Sequence, residues 1–457
     1  MTDRSVVLVA GGGLAGITAA CELADAGVRV KLIEKRPFLG GRCYSYEADG
    51  VEVDNGQHVF LGCCTEYIAL LERLGVRDGV HLQRRFRVPI IDKVRGESVL
   101  QSASLPPPAH LMPSLLRFKS LSLREKALAA YAFAQMRSTD LARHPELDDI
   151  TFEQWLLDRR QSRNAIDSLW NLIVQPTLND HASRVSAALA LMVFQEGFLR
   201  TRDGANVGWA KMGLSSLLAG AAREYIESRG GEILTTVALN GLETNADGIS
   251  RALTTAGDVT ADAYVIALAP GDVPAVLPDA VRDDRFFGRI GQISASPIVN
   301  VHLWFERPVW DRAFAAFLNT PVQWVFNKSK LWRQDGPQYL DISLSGAREW
   351  IDVPAVEIRD QFEKEIRALF PAARDVGLVR ALVVKQRDAT FAAHPGVARL
   401  RPTQRTPLRN LFLAGDWTDT GWPATMESAV RSGASAALEA MRSLVRAERP
   451  AGGGISL

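Results

Sequence analysis

Gly11, Gly13 and Gly16 in "SVVLVAGGGLAGITAACELADAG" stand at G-x-G-x-x-G spacing, and the acid Glu34 ends the next apolar run. Residues of these types at this spacing can hold a dinucleotide. Gly11 allows a tight turn, Gly13 lets a pyrophosphate approach the backbone, and Gly16 lets a helix pack closely on the strand before it. The helix start, with Leu14 and Ala15, offers unpaired N–H groups to phosphate. Glu34 can accept from both ribose hydroxyls and would repel a 2′-phosphate. The fingerprint alone does not separate NAD from FAD.

Three more stretches carry candidate chemistry. In "EKRPFLGGRCYS", Lys35, Gly40, Gly41 and Arg42 are placed to follow a cofactor past its pyrophosphate. In "DNGQHVFLG", Gly56 and Gln57 make another small-residue turn, and Asp54 and His58 are the candidate proton donors. The late stretch "GDWTDTGWPATMESAV" has no His, Cys or Lys, yet it places Gly415, Asp416, Trp422, Ala424, Thr425 and Met426 around a helix start. Pro423 fits the first position of that helix, where its missing N–H costs nothing.

These residues need elements to hold them. Val6–Ala10 reads as a buried parallel strand, residues 14–26 as a helix capped by Gly27, and 28–33 as a second strand. "GLSSLLAGAAREYIESRGGEILTTVALNGLE" reads as helix, turn and strand, and "ADAYVIALAP" as a buried strand. The segment 111–195 is mostly helical by pattern, whereas "SPIVNVHLWFERPVW" and "ALVVKQRDATF" carry strand-like runs. The expected class is α/β.

Composition sets outer bounds. A chain of 457 residues calls for two or three domains, and 47% hydrophobic with 23% charged residues is the mix of a soluble globular protein. A net charge of +1 builds no field for nucleic acid. Four cysteines lie within the first 64 residues, with Cys63 and Cys64 adjacent, which suits neither a disulfide framework nor a metal site. A reduced, cytoplasmic protein is expected. No apolar run approaches the roughly 20 residues that span a bilayer.

The two ends, "VAGGGLAGITAACELADAGVRVKLIEKRPFLGGR" and "LFLAGDWTDTGWPATMESAVRSG", resemble the FAD-dependent amine oxidase and phytoene desaturase superfamily. "DNGQHVFLGCCTEYIALLERLG" and "QPTLNDHASRVSAALALMVFQEGFL" are similar to its hydroxysqualene dehydroxylase branch. The resemblance implies a discontinuous Rossmann-like FAD domain from 1–85, 206–285 and 396–445. It implies a mixed α+β substrate domain from 86–205 and 286–395; by its own composition, 446–457 is expected to be a disordered tail. Val237 would clamp the adenine with backbone groups, Asp416 would bond the ribityl or pyrophosphate part, and the Thr425, Met426 and Glu427 amides would face the flavin N1/C2=O edge. Trp422 and Thr425 would wall the substrate side.

The implied reaction is reductive dehydroxylation of hydroxysqualene to squalene, with hydride from reduced FAD and an acid, His58 or Asp54, assisting departure of the hydroxyl. Non-covalent FAD is expected, because no Cys lies in the C-terminal motif. Thr425 stands where amine-oxidising members often have Tyr, and Asn300 where many have Lys; both departures argue against amine oxidation. The alternatives are a carotenoid desaturase, an amine oxidase, and a non-enzymatic flavin-binding scaffold. The expected partners are a lipophilic C30 isoprenoid, in transient contact the enzymes that make squalene or hydroxysqualene, and a membrane surface. Residues 106–137 would touch that surface through Leu115, Leu116 and Phe118, placing the protein peripherally on the inner face.

Overall fold

The computed structural model describes residues 5–448. One five-stranded sheet has the order Glu232–Thr235, Arg29–Glu34, Val6–Ala10, Ala263–Ile266, Leu411–Leu413, all parallel. Its central runs are apolar throughout because both faces are covered, as parallel sheets require. Val7, Leu8, Val9 and Ala10 are fully buried. Helix Leu14–Asp25 and helix Met426–Glu448 cover one face. They cross where Gly433 meets Ala15, and a Cβ on Gly433 would overlap the Ala15 carbonyl. The helix reaches Glu448, past the tail boundary expected at 446; the rest of that tail lies outside the described residues.

A second, seven-stranded sheet has the order Leu378–Phe391, Ala295–Phe305, Gln338–Ser345, Trp324–Asn327, Phe314–Leu318, Arg87–Asp92, Gly96–Gln101. The side-chain period of two divides strand Ala295–Phe305 between two faces. Val299, Val301, Leu303 and Phe305 pack on Ile358, Phe362 and Ile366 of helix Ala355–Leu369. Asn300, His302 and Trp304 take the other face, opposite Ser343, Asp341 and Tyr339. That face meets the first half of the chain, since Asn300 reaches Gly56 and Lys328 reaches Asp54.

Helices between 112 and 199 pack into one core with Val88, Ile90 and Leu100 of this sheet. Here one expectation is corrected. Leu115 and Phe118 were expected to face outward, but they are 5% and 0% exposed, locked into the core with Leu111 and Leu121. Only Leu116 of the three is exposed. Among the described residues no helix is long and apolar enough to cross a membrane.

Candidate cofactor cradle and active site

The first turn is built as its glycines require. Gly11 has φ +109°, outside the range of most L-residues, and donates to the Ile33 carbonyl at 2.8 Å. A Cβ on Gly16 would overlap the Gly11 carbonyl, so the helix can seat on the turn only without one. The second glycine pair lies directly alongside: Gly40 donates to Gly12 at 2.8 Å, and a Cβ on Gly41 would come within 2.8 Å of the Gly13 Cα. Two backbone loops free of side chains thus form one cradle.

Glu34 closes its far end. The buried carboxylate accepts from the Gly12 amide at 2.6 Å and the Arg36 amide at 2.8 Å. A carboxylate has about four acceptor positions, so capacity remains for ribose hydroxyls. Val237 lies beside it and donates its N–H to the Glu34 carbonyl at 2.9 Å, which leaves the Val237 carbonyl for an adenine. Lys35 turns away to Asp272 at 2.9 Å. These residues fit an FAD adenosine and pyrophosphate.

The C-terminal motif joins the cradle through Asp416, which pairs with Arg42. Arg42 also donates to the Ala389 carbonyl at 2.9 Å, tying the cradle to the second sheet. Small polar residues of the last helix hold the loop: Ser432 accepts from the Gly415 amide at 2.9 Å and Ser428 donates to the Asp416 carbonyl at 2.9 Å. Arg401, which the sequence did not single out, lies beneath. This buried guanidinium donates to the carbonyls of Asp416 at 3.2 Å, Trp417 at 3.3 Å and Thr418 at 3.1 Å. Burial pulls its pKa down to about 10, which still leaves it charged at neutral pH.

At the helix start, Thr425 Oγ1 accepts from the Ser428 amide at 3.1 Å. The Met426 and Glu427 amides of the first turn are outside the helix ladder and available to an acceptor. The Glu427 carboxylate turns the other way and caps helix Thr65–Arg73, accepting from the Tyr67 amide at 2.8 Å. Trp422 packs with the core of the cofactor half, under Arg431 at 5.0 Å. Ala424, not Trp422, packs toward the core shared with the second sheet.

The loop 54–58 separates the two candidate acids. Asp54 and Lys328 are 2% and 1% exposed, with Oδ2 and Nζ 2.7 Å apart. Asp54 Oδ1 accepts from the Leu214 amide at 3.1 Å. The Lys328 ammonium also reaches Gln57 Oε1 at 3.2 Å and the Trp332 ring at 3.9 Å. Asp54 is therefore corrected from candidate acid to structural anchor: both its oxygens are taken, by the Lys328 Nζ and the Leu214 amide, inside the fold. His58 differs. Its Nδ1 lies 3.0 Å from the Gly56 carbonyl. Burial opposes its charge, but the adjacent Cys43 sulfur, the Gly56 carbonyl and Asp54 together outweigh it and push its pKa up to about 9.

Behind this loop the second sheet presents a sealed polar strip. Asn300 donates to Asp341 at 2.9 Å, and His302 Nδ1 meets the Tyr339 hydroxyl at 2.8 Å. Burial pulls the His302 pKa down, so that ring is neutral. Asn300 Oδ1, Asp341 Oδ2 and His302 Nε2 are buried without a hydrogen-bond partner. All four cysteines are free, and among the described residues no cluster of His, Cys, Asp and Glu could hold a metal ion.

Comparison with known proteins agrees with this geometry. A family profile described as flavin containing amine oxidoreductase matches residues 14–441. A 15-cis-phytoene desaturase of Synechococcus elongatus is 26% identical, over 93% of this chain and 94% of its own. A zeta-carotene desaturase of Synechocystis is 26% identical, over 94% of this chain and 96% of its own. Among solved structures, putrescine oxidase bound to putrescine superposes with a TM-score of 0.75 at 19% identity, over 96% of this chain and 99% of its own. An oxidoreductase of Methanosarcina mazei superposes with a TM-score of 0.72 at 16% identity, over 96% of this chain and all of its own. At these identities the solved structures speak for the fold.

Proposed function

This chain belongs to the flavin-containing amine oxidoreductase family and is an FAD-dependent oxidoreductase, and from that premise we propose that it reduces hydroxysqualene to squalene. FAD, when bound and reduced, supplies a hydride. The chain's own residues do the rest. The glycine loops and the first-turn amides of helix Leu14–Asp25 receive the pyrophosphate, Glu34 the ribose, and the Met426 and Glu427 amides an anionic edge. His58 protonates the leaving hydroxyl, which departs as water.

His58 is the observation that carries this reading. Dehydroxylation consumes a proton, and the loop beside the cradle holds an imidazole with Nδ1 fixed at 3.0 Å from Gly56 and its pKa pushed up to about 9. That shift favours the protonated ring, the form from which an acid acts. Thr425 and Asn300 remove the aromatic and lysine expected of an amine site. A C30 chain would be held by area, at about 0.8 kcal/mol per buried CH₂. The enzymes that form hydroxysqualene are the matching partners. The decisive assay gives pure protein, reduced FAD and hydroxysqualene under anaerobic conditions; squalene is the expected product.

The carotenoid desaturases among the relatives favour a second reading, oxidation of a C40 polyene. Conversion of phytoene by the oxidised enzyme, with hydroxysqualene left untouched, would establish it and overturn the first.

A further inference from the structure

Residues 77–87, "RDGVHLQRRFR", hold Arg77, Arg84, Arg85 and Arg87 against the single acid Asp78, in a chain of net charge only +1. Strand Val80–Leu82 runs through this stretch and pairs with strand Val207–Ala210, placing His81 opposite Trp209 with the ring centres 4.3 Å apart. The Lys211 amide donates to the Gly79 carbonyl at 2.9 Å, which brings in a fifth cation. Beyond the strand, Gln83 accepts from the Arg87 amide at 3.2 Å and donates to the Arg87 carbonyl at 2.9 Å, a closed turn that leaves Arg84 and Arg85 exposed. Arg333 joins from the end of helix Lys328–Trp332: the His81 pKa is lowered first by loss of water around the ring and then by Lys211, Arg77 and Arg333. Among the described residues these six cations form no ion pair, and Arg85 reaches the Ser104 hydroxyl at 3.0 Å instead.

The patch adjoins the reaction centre. Trp209 also pairs with Val59, the residue after His58. Two strand spacings of about 4.8 Å therefore separate exposed His81 from the His58 loop. Of the patch's large apolar side chains only Met212 is exposed, at 39%. A surface with so little to enter hydrocarbon suits an acidic protein and not an acyl layer. The reaction needs such a partner. Reductive removal of a hydroxyl takes two electrons and two protons, turning R–OH into R–H and water. The electrons given up through the flavin must be replaced from outside, since the chain carries one G-x-G-x-x-G, that of the FAD cradle.

We propose that Arg77, Arg84, Arg85, Arg87, Lys211 and Arg333 dock an acidic electron-carrier protein, two molecules of which return one electron each to the oxidised cofactor. The inference rests on the reductive reading above, but its test reads association and flavin bleaching and not squalene. The probe is an acidic two-iron ferredoxin. Immobilised, it should bind the FAD-loaded protein; reduced under anaerobic conditions, it should bleach the flavin absorbance. Both effects should weaken as salt rises. Arg84→Glu with Arg85→Glu should weaken binding about tenfold or more and slow bleaching in step, because such charges set the encounter rate. Arg117→Glu with Arg124→Glu, equally exposed but outside the patch, should change neither. The thermal midpoint should not move in either variant. Carrier-driven bleaching that depends on Arg84 and Arg85 supports the proposal even where no squalene forms, an outcome that would sink only the reaction. Absence of binding at low salt, or binding and bleaching indifferent to the Arg84 and Arg85 changes, overturns it. So does equally fast bleaching by NADPH alone, or anionic vesicles held through the same arginines.

Discussion

Lys328→Met tests whether the Asp54–Lys328 pair holds the active-site loop. Both side chains are almost fully buried, 2.7 Å apart, and Asp54 has only the Leu214 amide besides. Met keeps the length and apolar stem of Lys but leaves the carboxylate without its counter-charge. Removing one partner of a buried pair costs about 3–5 kcal/mol, most of it the penalty on the orphaned charge. Unfolding entropy of about 2.1 cal/mol/K per residue over 457 residues comes to about 1 kcal/mol/K. The thermal midpoint should therefore fall by about 3–5 °C. It should be read by circular dichroism at one fixed excess of FAD, because a ligand bound only by folded protein raises the midpoint by mass action. Adding Asp54→Asn to Lys328→Met removes the orphaned charge and should recover most of the loss. A fall of less than about 1 °C for Lys328→Met, or a double variant no better than the single, would refute the argument.

Four other outcomes follow from the same geometry. His58→Gln should cut squalene formation far more than FAD content; and because the folded pKa of about 9 lies above the ordinary 6.5, the stability from its imidazolium is complete below pH 6.5 and lost as pH rises through 9, a fall the variant should lack in denaturation measured across that range. Gly16→Val forces a side chain into the Gly11 carbonyl, so the purified protein should lack the flavin absorbance bands. Arg401→Leu strips the donors from the Asp416, Trp417 and Thr418 carbonyls and should weaken FAD at least tenfold by fluorescence titration, with Arg401→Lys recovering part. Acid denaturation should leave all the flavin in the supernatant; flavin retained on the chain would contradict non-covalent binding.

What the chain discloses in advance is what is local. Gly11, Gly13, Gly16 and Glu34 lie on one strand–helix–strand unit, so their spacing already carries the geometry. The Asp54–Lys328 pair spans 274 positions, and a lysine in "VFNKSKLW" carries no sign of its partner. Arg401 is silent for another reason: the backbone carbonyls it binds have no side-chain signature. "SLLRFKSL" suits a helix end with either side inward, and only the packing of the neighbouring helices decides that Leu115 and Phe118 go in and Leu116 out. The Arg431 guanidinium lies 5.0 Å from the Trp422 ring, a contact that the C-terminal motif does not announce.

The titratable groups near the loop divide their work. Asp54 and Lys328 pair with each other, and His302 is held by Tyr339 with Asp341 beside it, so the proton the loop can offer is that of His58. That proton weighs differently on the two candidate reactions. In a dehydroxylation, His58 gives up its proton as the allylic cation forms, so positive charge moves from ring to substrate and is never doubled. In a desaturation begun by hydride loss, the substrate becomes cationic while the imidazolium keeps its proton. A desaturase gains nothing from a protonated histidine here; a dehydroxylase needs one.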